Sequence, residues 1–190
     1  MNKLKIKVIL GSIREGRNGE KVAKNVMDVL SKRDDAEYEL LDLLDYPMPL
    51  FNDAVSPSMR TEPYSDKHVA LWQSKIAEAD GYIFITAEYN RGVPSVLKNA
   101  IDYLYPEWNK KAMAVISYGN AAGGSRAAEQ LRTYAIELQM APIRVGVHIP
   151  FIWEKFDSEG KLTDAHFEKS VSDQADQLIW WSQALKSARG

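Results

Sequence analysis

Apolar residues in this chain follow two rhythms that alternate from one end to the other. Short, nearly unbroken apolar runs mark one rhythm: KIKVIL at 5–10, YELLDLL at 38–44, GYIFIT at 81–86, AMAVISYG at 112–119 and PIRVGVHIPF at 142–151. Bounded by turn residues, such runs predict strands buried on both faces. Between them the apolar spacing changes to three and four. Val22, Val26, Val29 and Leu30 predict a helix from 19 to 32, and Val69, Trp72, Ile76 and Ala79 a second. Val96, Leu97, Ala100, Ile101 and Leu104 give a third, with Pro94 near its start, where a missing N–H costs nothing. Leu131, Tyr134, Ala135 and Leu138 give a fourth. Phe167, Val171, Ala175, Leu178, Ile179 and Leu185 give a fifth, with Thr163 the expected N-cap.

Strands alternating with helices imply a parallel sheet covered on both faces. Five of each is the count of an α/β, flavodoxin-like, doubly wound five-stranded parallel sheet of order 2-1-3-4-5, expected to occupy 1–190 as a single domain. Residues 47–65 are rich in Pro, Ser and Asp and have no period, yet apolar structure resumes directly after them. They read as a long ordered loop. In open α/β sheets ligands bind beyond the carboxyl ends of the strands, at the point where strand order reverses. Three loops leave those ends side by side, at 11–19, 86–94 and 117–125, and these three also have the unusual composition.

Charge and cysteine content narrow the chemistry. A formal charge of −2 over 190 residues argues against a nucleic-acid partner, which a basic surface would bind. It also falls short of the strong acidity of a small docking electron carrier. The absence of cysteine removes disulfides, thiolate nucleophiles and iron–sulfur clusters. The N-terminal apolar patch is short and broken by lysines, and no segment approaches the roughly 20 apolar residues of a membrane span, so a cytoplasmic protein without a membrane partner is expected. His68, His148 and His166 lie in different elements without ligand spacing, so no metal site is expected. Ser12 and Ser117 lack a nucleophile-elbow context and an evident His partner, which speaks against a hydrolase triad.

The first loop, GSIREGRNG, has Gly11 and Gly16 at the spacing of a triphosphate loop, but Arg17-Asn18 stands where Lys and Ser/Thr would hold the outer phosphates and Mg²⁺. A dinucleotide fingerprint fails at Ile13. What remains is a site for one terminal phosphate, with Ser12, Arg14, Arg17 and Asn18 as donors and backbone N–H groups near Gly16 and Gly19 at a helix N-terminus. The second loop surrounds Tyr89 with Glu88, Asn90 and Arg91, a mixture suited to the polar edge and flat face of a heterocycle. In the third, Gly119, Gly123 and Gly124 permit close approach of backbone to ligand, and Tyr118 could edge or cover a ring. Taken singly, the second and third loops read at least as well as ordinary turns, while the first reads as a phosphate site in preference to a plain turn.

Four pieces of the sequence resemble the NADPH-dependent FMN reductase family of flavodoxin-like proteins, which includes quinone, azo-dye and chromate reductases. They are GSIREGR, PLFND at 49–53, EYNRGVPSVLKNAIDYLYPEW from Glu88, and SYGNAAGGSRAAEQLR from Ser117. The resemblance covers most of 4–150. It implies that Ser12, Arg14 and the amides leading to Gly19 hold the FMN phosphate, with either Arg17 or Asn18 completing the clamp. It also implies that Glu88, Tyr89, Asn90 and Arg91 line one side of the isoalloxazine ring, and that Ser117, Tyr118 and Gly119 approach from the other. Ala87 departs from the family's usual Pro before the Glu. The implied activity is ping-pong hydride transfer from NADPH or NADH through FMN to a quinone, azo dye or similar small-molecule electron acceptor, with no classical catalytic residue. Arg126 or Arg17 would meet the 2′-phosphate of NADPH. The implied assembly is a homodimer or homotetramer, with 47–65 and LYPEW at 104–108 as contacts. The alternatives are a flavodoxin-like electron carrier and a redox-sensing flavin-binding protein.

Overall fold

A computed structural model describes residues 3–189. The elements follow in the order β1 (Leu4–Leu10), α1 (Asn18–Leu30), β2 (Ala36–Asp42), α2 (Lys67–Ala77), β3 (Gly81–Ala87), α3 (Ser95–Asp102), β4 (Ala112–Tyr118), α4 (Ser125–Glu137), β5 (Ala141–Pro142), β6 (Val147–Ile149) and α5 (Phe167–Arg189). The sheet runs β2-β1-β3-β4-β5, with β6 also paired to β4, and every pairing is parallel.

Side chains alternate across a strand, so each strand feeds two cores. Ile6, Val8, Leu10, Ile83, Ile85, Ala114 and Ile116 pack under α1 and α5 with Val22, Val26, Val171 and Leu178. Ile9, Tyr82, Phe84, Met113 and Val115 pack under α2, α3 and α4 with Trp72, Leu97, Ile101 and Leu131. Both faces are therefore dry, which is why GYIFIT is apolar throughout. Trp108 of the LYPEW segment is part of the second core, fully buried and edge-on to Tyr82 at 4.9 Å. Its indole N–H donates to the Ile101 carbonyl at 3.2 Å.

Two expectations are corrected. The fifth strand is not continuous: it leaves β4 after Pro142 and rejoins it at Val147. Two glutamines of α5 replace part of the missing ladder, because buried backbone groups need partners. Gln174 donates to the carbonyls of Val115 (2.9 Å) and Val145 (3.0 Å), and Gln177 accepts from the Val145 amide at 2.9 Å. Thr163, the expected N-cap of α5, instead donates its hydroxyl to the Lys155 carbonyl at 3.2 Å. The Asp164 carboxylate takes the His166 amide at the start of the helix. No helix among the described residues is long and apolar enough to cross a membrane.

Candidate functional site

Because β1, β3 and β4 are neighbours and parallel, the loops that follow them converge at one edge of the sheet. A cavity of ≈ 420 Å³ lies there. Arg14, Asn18, Glu88, Tyr89, Tyr118 and Gly119 are among its lining residues.

The first loop leaves β1 at Gly11, whose amide donates to the Ile85 carbonyl at 2.9 Å. Arg14 is exposed, while Arg17 is buried. The Arg17 guanidinium forks onto Asp42, at 2.8 Å from Nη1 to Oδ1 and with Nη2 on Oδ2, and it also donates back to the Ser12 carbonyl. Both candidates for the phosphate clamp, Arg17 and Asn18, are among the residues that line the cavity, but the Arg17 guanidinium has its donors directed to Asp42 at the end of β2. Helix α1 then starts without a side-chain cap. Its first N–H groups have no intrahelical acceptor, and the helix dipole places partial positive charge there. Gly19, the second residue of the helix, is required by close packing: a Cβ at this position would overlap the Tyr118 hydroxyl and come within 2.9 Å of Leu10 Cδ1.

The second loop begins with Glu88. Its carboxylate accepts from the Arg126 amide at 3.0 Å, from the Ala127 amide at 3.4 Å and from the Arg126 guanidinium at 2.6 Å. Burial pushes this carboxyl up, but the three donors outweigh burial and hold it below the ordinary carboxylate value. Glu88 thus caps α4 from a different loop. Tyr89 and Gly92 exchange backbone hydrogen bonds of 3.0 and 2.9 Å across a two-residue turn. Asn90 (φ 51°) and Arg91 (φ 67°) form its tip in the left-handed region, the requirement of a type I′ turn. Both side chains are exposed and outside the cavity lining. Gln130 fastens the turn by accepting from the Val93 amide and donating to the Arg91 carbonyl. Ser12, fully buried, shares a 2.8 Å hydrogen bond with the Tyr89 hydroxyl and so joins the first two loops.

In the third loop Ser117 points away from the cavity. Its hydroxyl donates to the Gly123 carbonyl and lies 2.7 Å from His148 Nδ1. Ser117 therefore has a His partner that its sequence context did not reveal, but it is fully buried and serves as a brace rather than a nucleophile. Gly124 (φ 77°) has no room for a Cβ, which would sit 2.9 Å from backbone atoms of Tyr118. Tyr118 is buried, and its hydroxyl has no hydrogen-bond partner among the described residues. Burial, with the nearby Tyr89, pushes its pKa up to about 12, so the group is a neutral donor at physiological pH.

Of the residues expected at the site, the structure brings Arg14, Arg17, Asn18, Glu88, Tyr89, Tyr118 and Gly119 to the cavity. Ser12, Gly19, Asn90, Arg91 and Ser117 stand behind or beside it. A fourth wall went unseen in the sequence, made by Ile152 and Trp153 beyond β6. The cluster PFIW had only its aromatic content to mark it, and no turn signature or periodicity.

These features define a flavodoxin-like α/β protein with an anion-ready helix N-terminus and a flat polar–aromatic cleft. The family model for NADPH-dependent FMN reductases matches residues 4–154. An NAD(P)H-dependent FMN reductase of Schizosaccharomyces pombe is 38% identical over 148 residues, covering 77% of this chain and 74% of that protein. An NAD(P)H:quinone oxidoreductase of Solanum tuberosum is 30% identical over 190 residues, covering 96% and 94%. Among solved structures, the flavoenzyme NAD(P)H:(acceptor) oxidoreductase FerB of Paracoccus denitrificans superimposes with a TM-score of 0.74 at 23% identity, over 95% of this chain and 98% of that one, a likeness of fold. The chain belongs to the NADPH-dependent FMN reductase family.

Proposed function

We propose that this protein is an FMN-dependent NAD(P)H oxidoreductase that reduces quinones and related small acceptors. The observation that carries the reading is the pairing, in one cavity, of an uncapped α1 N-terminus with the buried, unpartnered Tyr118 hydroxyl. An unpaired buried donor costs free energy unless something accepts from it. A phosphate monoester would satisfy the helix amides, and Tyr118, in the same cavity lining, would donate to the polar remainder of the cofactor. The residues present therefore fit FMN. Bound there, FMN supplies hydride acceptance from a nicotinamide and two-electron delivery to an acceptor.

The chain's own part is binding and orientation. Arg14 and the amides of Asn18 and Gly19 hold the phosphate, with the Asn18 side chain beside them. The Arg17–Asp42 fork fixes the loop that carries these donors. Glu88 locks the second loop to α4, which sets where Tyr89 and the Ala87 end of β3 meet the ring. None of these groups needs to exchange a proton with substrate, so no acid or base is assigned. Arg17 is buried against Asp42, whereas Arg126 pairs with Glu88 through one nitrogen and keeps a part-exposed guanidinium, so of the two Arg126 is the reader of a nicotinamide 2′-phosphate in this proposal. The chain acts as a single cytoplasmic domain that assembles as a homodimer or homotetramer. Support for an assembly comes from exposed apolar residues on the loop after β2, Leu50, Val55 and Met59, at the same edge of the sheet as the cavity.

The test is the visible absorption spectrum of the purified protein, before and after anaerobic addition of NADPH, followed by NADPH oxidation with a quinone. A yellow protein that bleaches and turns over is expected. A colourless protein that takes up no added FMN would overturn the reading.

A further inference from the structure

The fourth wall of the cavity belongs to a segment with an unusual backbone. Phe151 adopts φ 48° and ψ 50°, a left-handed conformation that a bulky side chain rarely takes. The turn is held by stitches to the third loop: Gly119 N–H donates to the Ile149 carbonyl, Ile152 N–H to the Gly119 carbonyl and Phe151 N–H to the Asn120 carbonyl. Farther along, the same segment is tied to α1. The Asn25 side chain donates to the Gly160 carbonyl and accepts from the Leu162 amide, each at 2.9 Å, and the Lys21 ammonium lies 5.2 Å from the centre of the Phe156 ring. The segment thus bridges the two elements that flank the cavity, β4 with its loop and α1.

Its conformation presents Ile152 and Trp153 to the cavity. Ile152 is buried, whereas Trp153 is 55% exposed where it lines the half-open cavity. The Phe151 ring backs it edge-on, at 6.1 Å and 86°. The indole N–H is directed to Glu154 at 3.1 Å, so the surface left to face the cavity is apolar carbon. An exposed indole with its one polar atom turned aside suits a flat apolar ligand, for aromatic contacts add to the gain from burial.

The geometry points to Trp153 as a flavin-contacting residue, an apolar wall against the ring and ribityl portion of the cofactor rather than its phosphate. The inference rests on the reading of this cavity as the flavin site. The phosphate has its own donors at Arg14 and the start of α1, and an indole without a free N–H adds nothing to them.

Titration of the apoprotein with FMN and, separately, with riboflavin, followed by quenching of flavin fluorescence, tests this. Trp153→Ala raises both dissociation constants by the same factor, about tenfold. Trp153→Phe, which keeps a flat apolar face, stays within about threefold of the wild type. Arg14→Ala raises the FMN constant alone. Thermal unfolding of each apoprotein checks that the variants are folded. Should the wild type bind FMN while Trp153→Ala binds both ligands as well, the assignment of Trp153 falls and the flavin site stands. A loss confined to FMN also overturns it, since that places the indole at the phosphate. A wild type that binds neither flavin overturns the site and this inference together.

Discussion

Two helices, α1 and α4, begin at the same end of the sheet, and their N-termini are treated in opposite ways. The start of α4 is closed by the chain itself: Glu88 reaches from the loop after β3, accepts two backbone amides and pairs with Arg126. The start of α1 has no side-chain cap among the described residues, and the Asp42 carboxylate is engaged with Arg17, the residue before the helix. A helix N-terminus stabilises negative charge wherever it comes from. At α4 a carboxylate of the chain supplies that charge; at α1, in the proposed function, the ligand supplies it. The arginines divide in the same way: Arg126 and Arg17 pair with Glu88 and Asp42, and Arg14 has no carboxylate partner among the described residues.

The strongest way to break the comparison is to deny the ligand access to α1. Gly19→Ala places a methyl group against Tyr118 and Leu10. With Leu10 fully packed, the tyrosine ring must move into the cavity, and FMN affinity is expected to fall by about a hundredfold, roughly 2.7 kcal/mol. Equilibrium titration of the apoprotein measures it, and unchanged affinity would mean that the ligand does not approach this turn. Arg14→Ala comes next. Loss of a charge-assisted hydrogen bond to phosphate is worth about 1.5–3 kcal/mol, so FMN binding weakens at least about tenfold. Because ions screen an exposed charge, the gap from wild type narrows at high salt. A salt-independent loss would argue that Arg14 acts through packing.

Arg17→Ala separates a brace from a ligand contact. Its guanidinium side chain is 4% exposed and Asp42's carboxylate side chain 20%, so removing one partner strands a largely buried charge. Partial exposure of Asp42 tempers the cost to about 2 kcal/mol. In a chain of this size that lowers the apoprotein's melting temperature by about 4–8 °C. Lysine does not rescue it, because the two-pronged geometry is lost. A variant with unchanged apoprotein stability and weakened FMN binding would return Arg17 to the phosphate clamp.

How far the sequence alone could see is decided by the range of the interactions. The strands and the two covered faces were legible because unbroken apolar runs and period-3.6 patterns are local; the strand order followed from their count, and the convergence of three loops from the order. The break in the fifth strand was not legible: Gln174 and Gln177, some thirty residues downstream, supply the hydrogen bonds that permit it. The roles of the two arginines were hidden for the same reason, since nothing near Arg17 announces Asp42 and nothing near Glu88 announces α4. Ser117 looked as eligible for the cavity as Tyr118, yet adjacent strand residues face opposite sides, and His148 took it. Trp153 was missed because its place depends on a left-handed turn at Phe151, a residue type that gives no hint of one.

The mildest expected effect lies at the closed helix. Glu88→Gln keeps the shape and an acceptor oxygen but removes the charge, so part of the capping energy is lost, about 1 kcal/mol. The pH dependence identifies the cause. In the folded protein burial raises the Glu88 pKa, and the donors from Arg126 and Ala127 more than reverse this, leaving it below its unfolded value of 4.5. A depressed folded pKa means that the unfolded chain takes up the proton first, so this contribution is complete above the unfolded value and is lost as pH falls through the folded one. Wild type and Glu88→Gln apoproteins should therefore differ most at neutral pH and converge in acid. Urea unfolding at several pH values reads the difference. FMN affinity should change by no more than about threefold, since 1 kcal/mol at α4 is spent on the loop and not on the phosphate. A large loss of FMN binding in this variant, without loss of stability, would make Glu88 a direct ligand contact and erase the distinction between the two helix ends.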